Sequence, residues 1–312
     1  MCSPARNQRA AAPAPAVWLD GRIVRGAAAV VPIADRGLLY GDGLFETLRV
    51  YARQPFRLAA HLARLRRSAR TLGMPVPGDD EHWYRAIARV CRANRLVEAA
   101  VRLTVTRGSA TGLWPTTRTR PRLILQARAI DPALAIARAH GIAVALLPFD
   151  RGAGPPYGVA YRHKTLAYLP AVLGRRDALR RGFADGLYLD ATGAVTEATT
   201  ANLFLCRGRH LLTPPAGILP GITRGVVLQL ARRLGYAVEE RPLRRRHLRG
   251  ASEVFLTSSI AEIVPVVRIE TDVIGNGAPG PVTRRLQAAY AACVARATRR
   301  TAIARAGTGR AV

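Results

Sequence analysis

The sequence predicts an α+β protein built from two domains. Three observations carry that expectation. The chain has 312 residues, enough to bury two cores. Segments of period two and of period 3.6 follow one another without strict βαβ alternation, which argues against one doubly wound sheet. A stretch from Ala129 to His140 separates two such sets and reads as a connection. The expected layout is a disordered tail at 1–16, a smaller N-terminal α/β domain at 17–128, a linker at 129–140, a larger C-terminal domain at 141–298, and a flexible tail at 299–312.

The elements follow in order. Val17-Trp18-Leu19, a turn at Asp20-Gly21 and Ile23-Val24 read as a hairpin. Residues 44–51 alternate as a strand. Leu58, Leu62, Leu65 and Ala69 share one face of a helix over 57–72, and a second helix is expected over 81–96. Strands are expected at 100–107 and 121–128. Beyond the connection come a strand at 142–147, a Gly/Pro-rich loop at 151–158, and a helix over 165–181 with Lys164 at its start. Strands at 186–190 and 202–206 flank a turn at Thr192-Gly193. Leu219-Pro220-Gly221-Ile222-Thr223-Arg224 opens a helix ending near Gly235, Val254 to Leu256 form a buried strand, and 281–298 form a closing helix.

Composition narrows the function. Apolar residues make up 49% and aromatics 6%, an ordinary globular balance. No uncharged apolar run of about 18 residues marks a membrane span. Ala11 to Ala16 is low in complexity and is not read as a secretory signal. Cys2, Cys91, Cys206 and Cys293 form no CxxC pair, so neither zinc nor a redox dithiol is expected; scattered thiols fit the cytoplasm. The net charge of +28 raises the question of a polyanion partner. The arginines are spread along the chain, however. The only triplet is Arg244-Arg245-Arg246, and no aromatics interleave with it or with Arg299-Arg300 for base stacking. Solvated helical faces account for this excess, and nucleic acid is not the expected partner.

One cation stands apart. Of the 48 Lys and Arg side chains, Lys164 is the only lysine. Arginine serves charge and ion pairing equally well, but only an amine can shed its proton and bond a carbonyl. Three further features suit a phosphate-bearing aldehyde. Glu197 lies between small residues before an apolar strand, where a carboxylate could keep a pyridine nitrogen protonated. Gly221-Ile222-Thr223 offers backbone N–H groups and a hydroxyl at a helix start. Thr257-Ser258-Ser259 offers more of both after a buried strand. Taken singly, these also read as a surface turn residue, an N-capped Pro-Gly turn and a polar strand end; their order and spacing give the chemical reading.

With these motifs in place, the chain resembles the class IV aminotransferases, the fold-type IV enzymes that use pyridoxal 5′-phosphate. These include branched-chain aminotransferases, D-amino acid aminotransferases and aminodeoxychorismate lyases. The resemblance spans about Trp18 to Tyr290. It is strongest at Asp35-Arg36-Gly37, Gly41 to Thr47, His61 to Leu65, His163 to Leu166, Thr196 to Phe204 and Leu219 to Arg224. It implies Lys164 as the Schiff-base lysine and Glu197 as the partner of the pyridine nitrogen. It implies Arg64, Ile222, Thr223, Ser258 and Ser259 around the phosphate, Leu219 among the cofactor-binding residues, Tyr168 near the cofactor 3′-oxygen, and a homodimer.

On the substrate side the resemblance implies Tyr40, Phe45, Arg102 and Arg107. The loop Arg107-Gly108-Ser109-Ala110-Thr111-Gly112 lacks the later arginine common in the lyases and the Arg-x-His carboxylate trap of the best-known D-amino acid enzymes. Ala167 stands where lyases often have Asn. The expected activity is therefore transfer of an amino group from an apolar, branched-chain amino acid to a 2-oxo acid. The alternatives are an aminodeoxychorismate lyase releasing p-aminobenzoate and pyruvate, a D-amino acid aminotransferase without the trap, and a basic polyanion binder on an inactive scaffold.

Overall fold

The computed structural model describes residues 14–113, 119–148 and 162–308. The expected loop at 151–158 and most of the expected N-terminal tail lie outside those residues.

The first sheet is built from β1 (Ala16–Leu19), β2 (Arg22–Arg25), β3 (Gly43–Tyr51), β4 (Gln54–Pro55), β5 (Ala99–Thr106) and β6 (Arg122–Arg128), in the order β2-β1-β6-β5-β3-β4. Asp20 and Gly21 join the first hairpin with φ of 48° and 96°, the two left-handed positions a tight turn needs. The short helix α1 (Arg36–Tyr40) starts where the Asp35 carboxylate accepts from the Gly37 N–H. Helices α2 (Leu58–Thr71) and α3 (Asp80–Ala93) cover one face of the sheet. Leu62, Leu65, Trp83, Ile87 and Val90 bury their apolar stripes there against Leu44, Leu48, Val101, Leu103 and Leu125. Alternation along the strands sends Phe45, Thr47, Ala100 and Arg102 to the other face. That face looks onto the second sheet.

Between the sheets the expected linker contains a helix, α4 (Ala133–His140). The second sheet holds β7 (Ile142–Leu147), β8 (Asp185–Leu189), β9 (Ala194–Ala198), β10 (Asn202–Arg207), β11 (His210–Thr213), β12 (Ala237–Glu240), β13 (Leu243–Arg244), β14 (Glu253–Ser258), β15 (Glu262–Ile269) and β16 (Asp272–Val273). Its path is β12-β11-β10-β14-β15-β7-β8-β9-β13, with β16 on β15. Asn202 of β10 also pairs with Glu197 of β9, so β10, β14, β15, β7, β8 and β9 close into a ring. Helices α5 (Leu169–Arg180), α6 (Ile222–Arg233), α7 (Arg245–Arg249) and α8 (Pro281–Thr308) surround it. Leu286 and Tyr290 of α8 pack with Val227 and Leu230 of α6 over Phe204, Phe255 and Ile263.

Besides α4 in the linker and the short elements α1, α7, β4, β11, β12, β13 and β16, the structure differs from the expected elements at four places. Lys164 is not at a helix start: α5 begins at Leu169 with Pro170 in its first turn, and Lys164 lies on the extended segment before it. Glu197 is inside a strand and 3% exposed, because β9 buries every residue from Ala194 to Ala198. Strand β15, which carries Pro265, is not among the expected elements; it pairs with both β14 and β7. The closing helix runs past 298 to Thr308.

Candidate active site

Lys164 is held in place by backbone. The Phe45 N–H donates to the Lys164 carbonyl at 2.8 Å, and the Leu166 N–H donates to the Gly43 carbonyl at 2.9 Å. The segment is thereby strapped to the start of β3. Gly43 makes the approach possible, since a Cβ there would lie 2.5 Å from Leu166 Cδ1 and 2.7 Å from the Val105 carbonyl. The Lys164 Nζ reaches into a cavity of about 450 Å³ between the two sheets. It sits 4.4 Å from the centre of the Phe45 ring and 5.2 Å from that of Tyr168. Phe45 and Tyr168 meet edge to face with centroids 5.1 Å apart. Arg102, across β5, lays its guanidinium 3.6 Å from the Phe45 ring centre. Burial lowers the pKa of Arg102, an effect that nearby Tyr168 opposes.

At the other end the cavity becomes a cup for an anion. Gly221 is the N-cap of α6 and contributes no side-chain cap, and no acidic residue occupies the first turn. Gly221, Ile222 and Thr223 line the cavity, so α6 opens at its wall with no side-chain cap over its first N–H groups. The turn from β14 to β15 brings Ser258 and Ser259 to the same place. The Thr257 hydroxyl is buried at the cavity wall without a hydrogen-bond partner among the described residues. An orphaned hydroxyl beside free helix N–H groups suits an oxyanion.

Arg64 supplies the cation of the cup. Its Nε and Nη2 each donate to Glu46 at 2.7 Å, and its Nη1 donates to the Pro220 carbonyl at 2.8 Å. Of five guanidinium donors these bonds use three, which leaves two for a ligand. Glu46 also bonds His61 Nδ1 at 2.8 Å, and His61 Nε2 lies 3.5 Å from the Ser259 hydroxyl. The chain of contacts runs from the loop before α6 through Arg64, Glu46 and His61 to the Ser258-Ser259 turn. Burial alone would raise the Glu46 carboxyl; Arg64 and then His61 outweigh it and hold the pKa at about 2.

That has a consequence for acid stability. The folded value lies below the ordinary 4.5, so Glu46 contributes stability above pH 4.5 that is lost as the pH falls toward 2. The contribution is on the order of 3 kcal/mol. Glu46→Gln is expected to be less stable than wild type at pH 7 and to lose less between pH 5 and 3. Urea unfolding at several pH values measures this; parallel curves for the two proteins would refute it.

Glu197 lies behind the cavity floor. Its Oε2 accepts from Asn202 Nδ2 and from the Leu219 N–H, both at 3.0 Å, and Asn202 Nδ2 also donates to the Leu219 carbonyl at 2.9 Å. Asn202 and Leu219 themselves line the cavity. Arg64, Lys164, Tyr168, Leu219, Ile222, Thr223, Ser258 and Ser259 thus surround one space, with Phe45 and Arg102 on the facing wall.

Two expected substrate residues are placed elsewhere. Tyr40 lies on α1, 47% exposed, with the Arg36 guanidinium 4.9 Å from its ring centre. Arg107 is buried, donating to Asp42 at 2.7 Å and to the carbonyls of Leu72 and Gly73 at 2.8 and 2.9 Å. Its planar fork braces the end of α2 instead of facing a ligand. Conversely, Glu46, His61 and Asn202 join the site although the sequence gives none of them a role there, while Thr257, expected with Ser258 and Ser259, is at the cavity wall. The spacing of His61 and Arg64 at i and i+3 on one helix is the available signal.

A two-sheet scaffold with one amine and an anion cup in the cleft defines a fold-type IV enzyme. The E. coli branched-chain amino acid aminotransferase structure superposes with a TM-score of 0.82 at 33% identity, covering 88% of this chain and 92% of that one. The branched-chain aminotransferase of the thermophilic archaeon Thermoproteus uzoniensis, solved with norvaline, gives 0.80 at 30% identity over 88% and 93%. In sequence, the Bacillus licheniformis D-alanine aminotransferase is 31% identical over 88% of this chain and 95% of its own. Residues 43–269 match the family model of the class IV amino-transferases. The chain belongs to that family, whose members use pyridoxal 5′-phosphate.

Proposed function

We propose that this chain is a pyridoxal 5′-phosphate-dependent aminotransferase that takes its amino group from an apolar, branched-chain amino acid and passes it to a 2-oxo acid. The observation that carries this reading is the shared cavity, with the Lys164 amine at one end and the anion cup at the other. When bound, the cofactor supplies an aldehyde and an electron-accepting ring. Lys164 would be the residue that holds it covalently, and its amine would move a proton to or from the substrate α-carbon. Glu197 keeps the ring nitrogen protonated, from a position fixed by Asn202 and the Leu219 N–H. Thr223, Ser258, Ser259 and Arg64 hold the phosphate with the N–H groups of Ile222 and Thr223. Tyr168 stands beside the lysine.

Phe45, Leu134 and Ile260 give the substrate end its apolar lining, which favours an aliphatic side chain. Arg102 is the proposed carboxylate partner; Tyr40 and Arg107 are left out of this chain's own substrate set. A homodimer is the proposed assembly, because Val30, Ile33, Leu38, Leu39 and Leu113 are each more than half exposed around α1, an apolar surface that calls for cover. Cys91, Cys206 and Cys293 are free thiols, and we place the protein in the cytoplasm on that ground. Among the described residues, no helix is long and apolar enough to cross a membrane.

The test is a substrate screen of purified protein loaded with cofactor, its mass read by light scattering. L-leucine, L-isoleucine and L-valine with 2-oxoglutarate are expected to react faster than D-alanine. Release of p-aminobenzoate and pyruvate from aminodeoxychorismate, with no turnover of the branched-chain set, would replace this reading by the lyase. Salt-sensitive DNA binding by a colourless protein would replace it by the polyanion binder.

A further inference from the structure

The turn that gives Ser258 to Ala261 to the cavity ends on an unusual residue. Glu262 has φ of 64°, in the left-handed region where a three-residue hairpin turn ordinarily places glycine. Its side chain is well engaged. Oε1 accepts from the Tyr51 hydroxyl at 2.7 Å and from Arg49 Nη1 at 2.8 Å, and Oε2 lies 3.7 Å from Arg138 Nε. Arg49 Nη1 also donates to the Ile260 carbonyl at 3.2 Å, inside the turn itself. Burial raises the pKa of Tyr51, so its hydroxyl stays protonated and donates.

The arms that meet at this carboxylate come from the substrate side of the cavity. Arg49 and Tyr51 continue β3 beyond Phe45 and Thr47, and Arg49 shares their face of the strand. Arg138 lies one turn along α4 from Leu134, which lines the cavity. The carboxylate joins the cup turn, β3 and α4 at a point behind the wall. We propose that Glu262 is a positioning residue that locks the Ser258–Ala261 turn to the substrate wall, so that the cup keeps its anion-binding shape only while that wall is docked. The proposal rests on the reading that the cup takes a phosphate group, and it assigns to that cup a controlling residue that does not touch the anion.

Two variants separate this role from simple stability. Glu262→Gly relaxes the backbone and deletes the carboxylate; Glu262→Gln keeps the side-chain length and removes the charge. The full chain stripped of cofactor is titrated with inorganic phosphate by calorimetry and with pyridoxal 5′-phosphate by absorbance. Both dissociation constants are expected to rise about 10-fold in Glu262→Gly and about 3-fold in Glu262→Gln. In the reloaded Gly variant KM should rise more than kcat falls. If Glu262→Gly folds poorly, Arg49→Met removes the Arg49 arm, to the carboxylate and to the Ile260 carbonyl, while the Tyr51 bond stays; it is expected to weaken phosphate binding in the same direction, by about 3-fold. Phosphate affinity within about twofold of wild type in the variants overturns the proposal, whatever happens to the melting temperature. Weakened phosphate binding by a chain that ignores pyridoxal 5′-phosphate would leave Glu262 in this role and refute the cofactor reading alone.

Discussion

Lys164→Arg is expected to fold, to keep its net charge and to lose transamination by at least about 10⁴-fold. The replacement matches the choice this sequence makes at every other basic position. Its strap should survive, since the bonds to β3 run through the backbone of Phe45, Lys164, Leu166 and Gly43. The guanidinium stays protonated and cannot bond a carbonyl or relay a proton. The measurement is single-turnover amino transfer with saturating cofactor, together with borohydride trapping and peptide mapping. Wild-type protein should be labelled at position 164 and the variant should not. Turnover within about tenfold of wild type would show that another group does the chemistry.

Gly221→Ala should disable the cup from the opposite side. The φ of −67° suits alanine, so backbone strain plays no part. A Cβ at 221 would instead overlap the Asn202 side-chain oxygen. Asn202 has little room to retreat, because Nδ2 is bonded to both Glu197 and the Leu219 carbonyl. The methyl group would separate Asn202 from Glu197 or push α6 away from the cup. A loss of about 1–3 kcal/mol in stability is expected, with cofactor affinity weakened at least about 10-fold. The effect of adding Asn202→Ala should be far from additive, since the two residues share one space. Unchanged cofactor affinity in Gly221→Ala would show that the cup does not depend on this contact.

Much of the site is legible without a structure because its parts are local. A glycine before a Thr at a helix start, hydroxyls after a buried strand, and a single amine in an arginine-rich chain are all visible within a few residues. The individual strands and helices are legible for the same reason. What stays hidden depends on long-range pairing. Glu197 stands out as a carboxylate before an apolar strand, but its own burial inside a strand stays hidden, because β9 is short and is covered by β8, β10 and β13. Arg107 looks like a ligand-facing loop residue, yet its donors are claimed by Asp42 and by the end of α2. Glu46 looks like one charge in a strand; its partners lie 15 and 18 residues away on a helix.

By itself, then, the sequence determined the kind of chemistry, because bond-forming capacity belongs to a residue type and only one primary amine side chain exists here. It also determined the class of fold, since hydrophobic period is a property of neighbouring residues. The tertiary structure decided which charges line the cavity and which brace the scaffold. That choice depends on which buried donors meet which acceptors across the two sheets. Arg64, Arg102 and Arg107 are chemically identical, and only their partners distinguish them: a carboxylate and a carbonyl at the cavity, the Phe45 ring, and the end of α2.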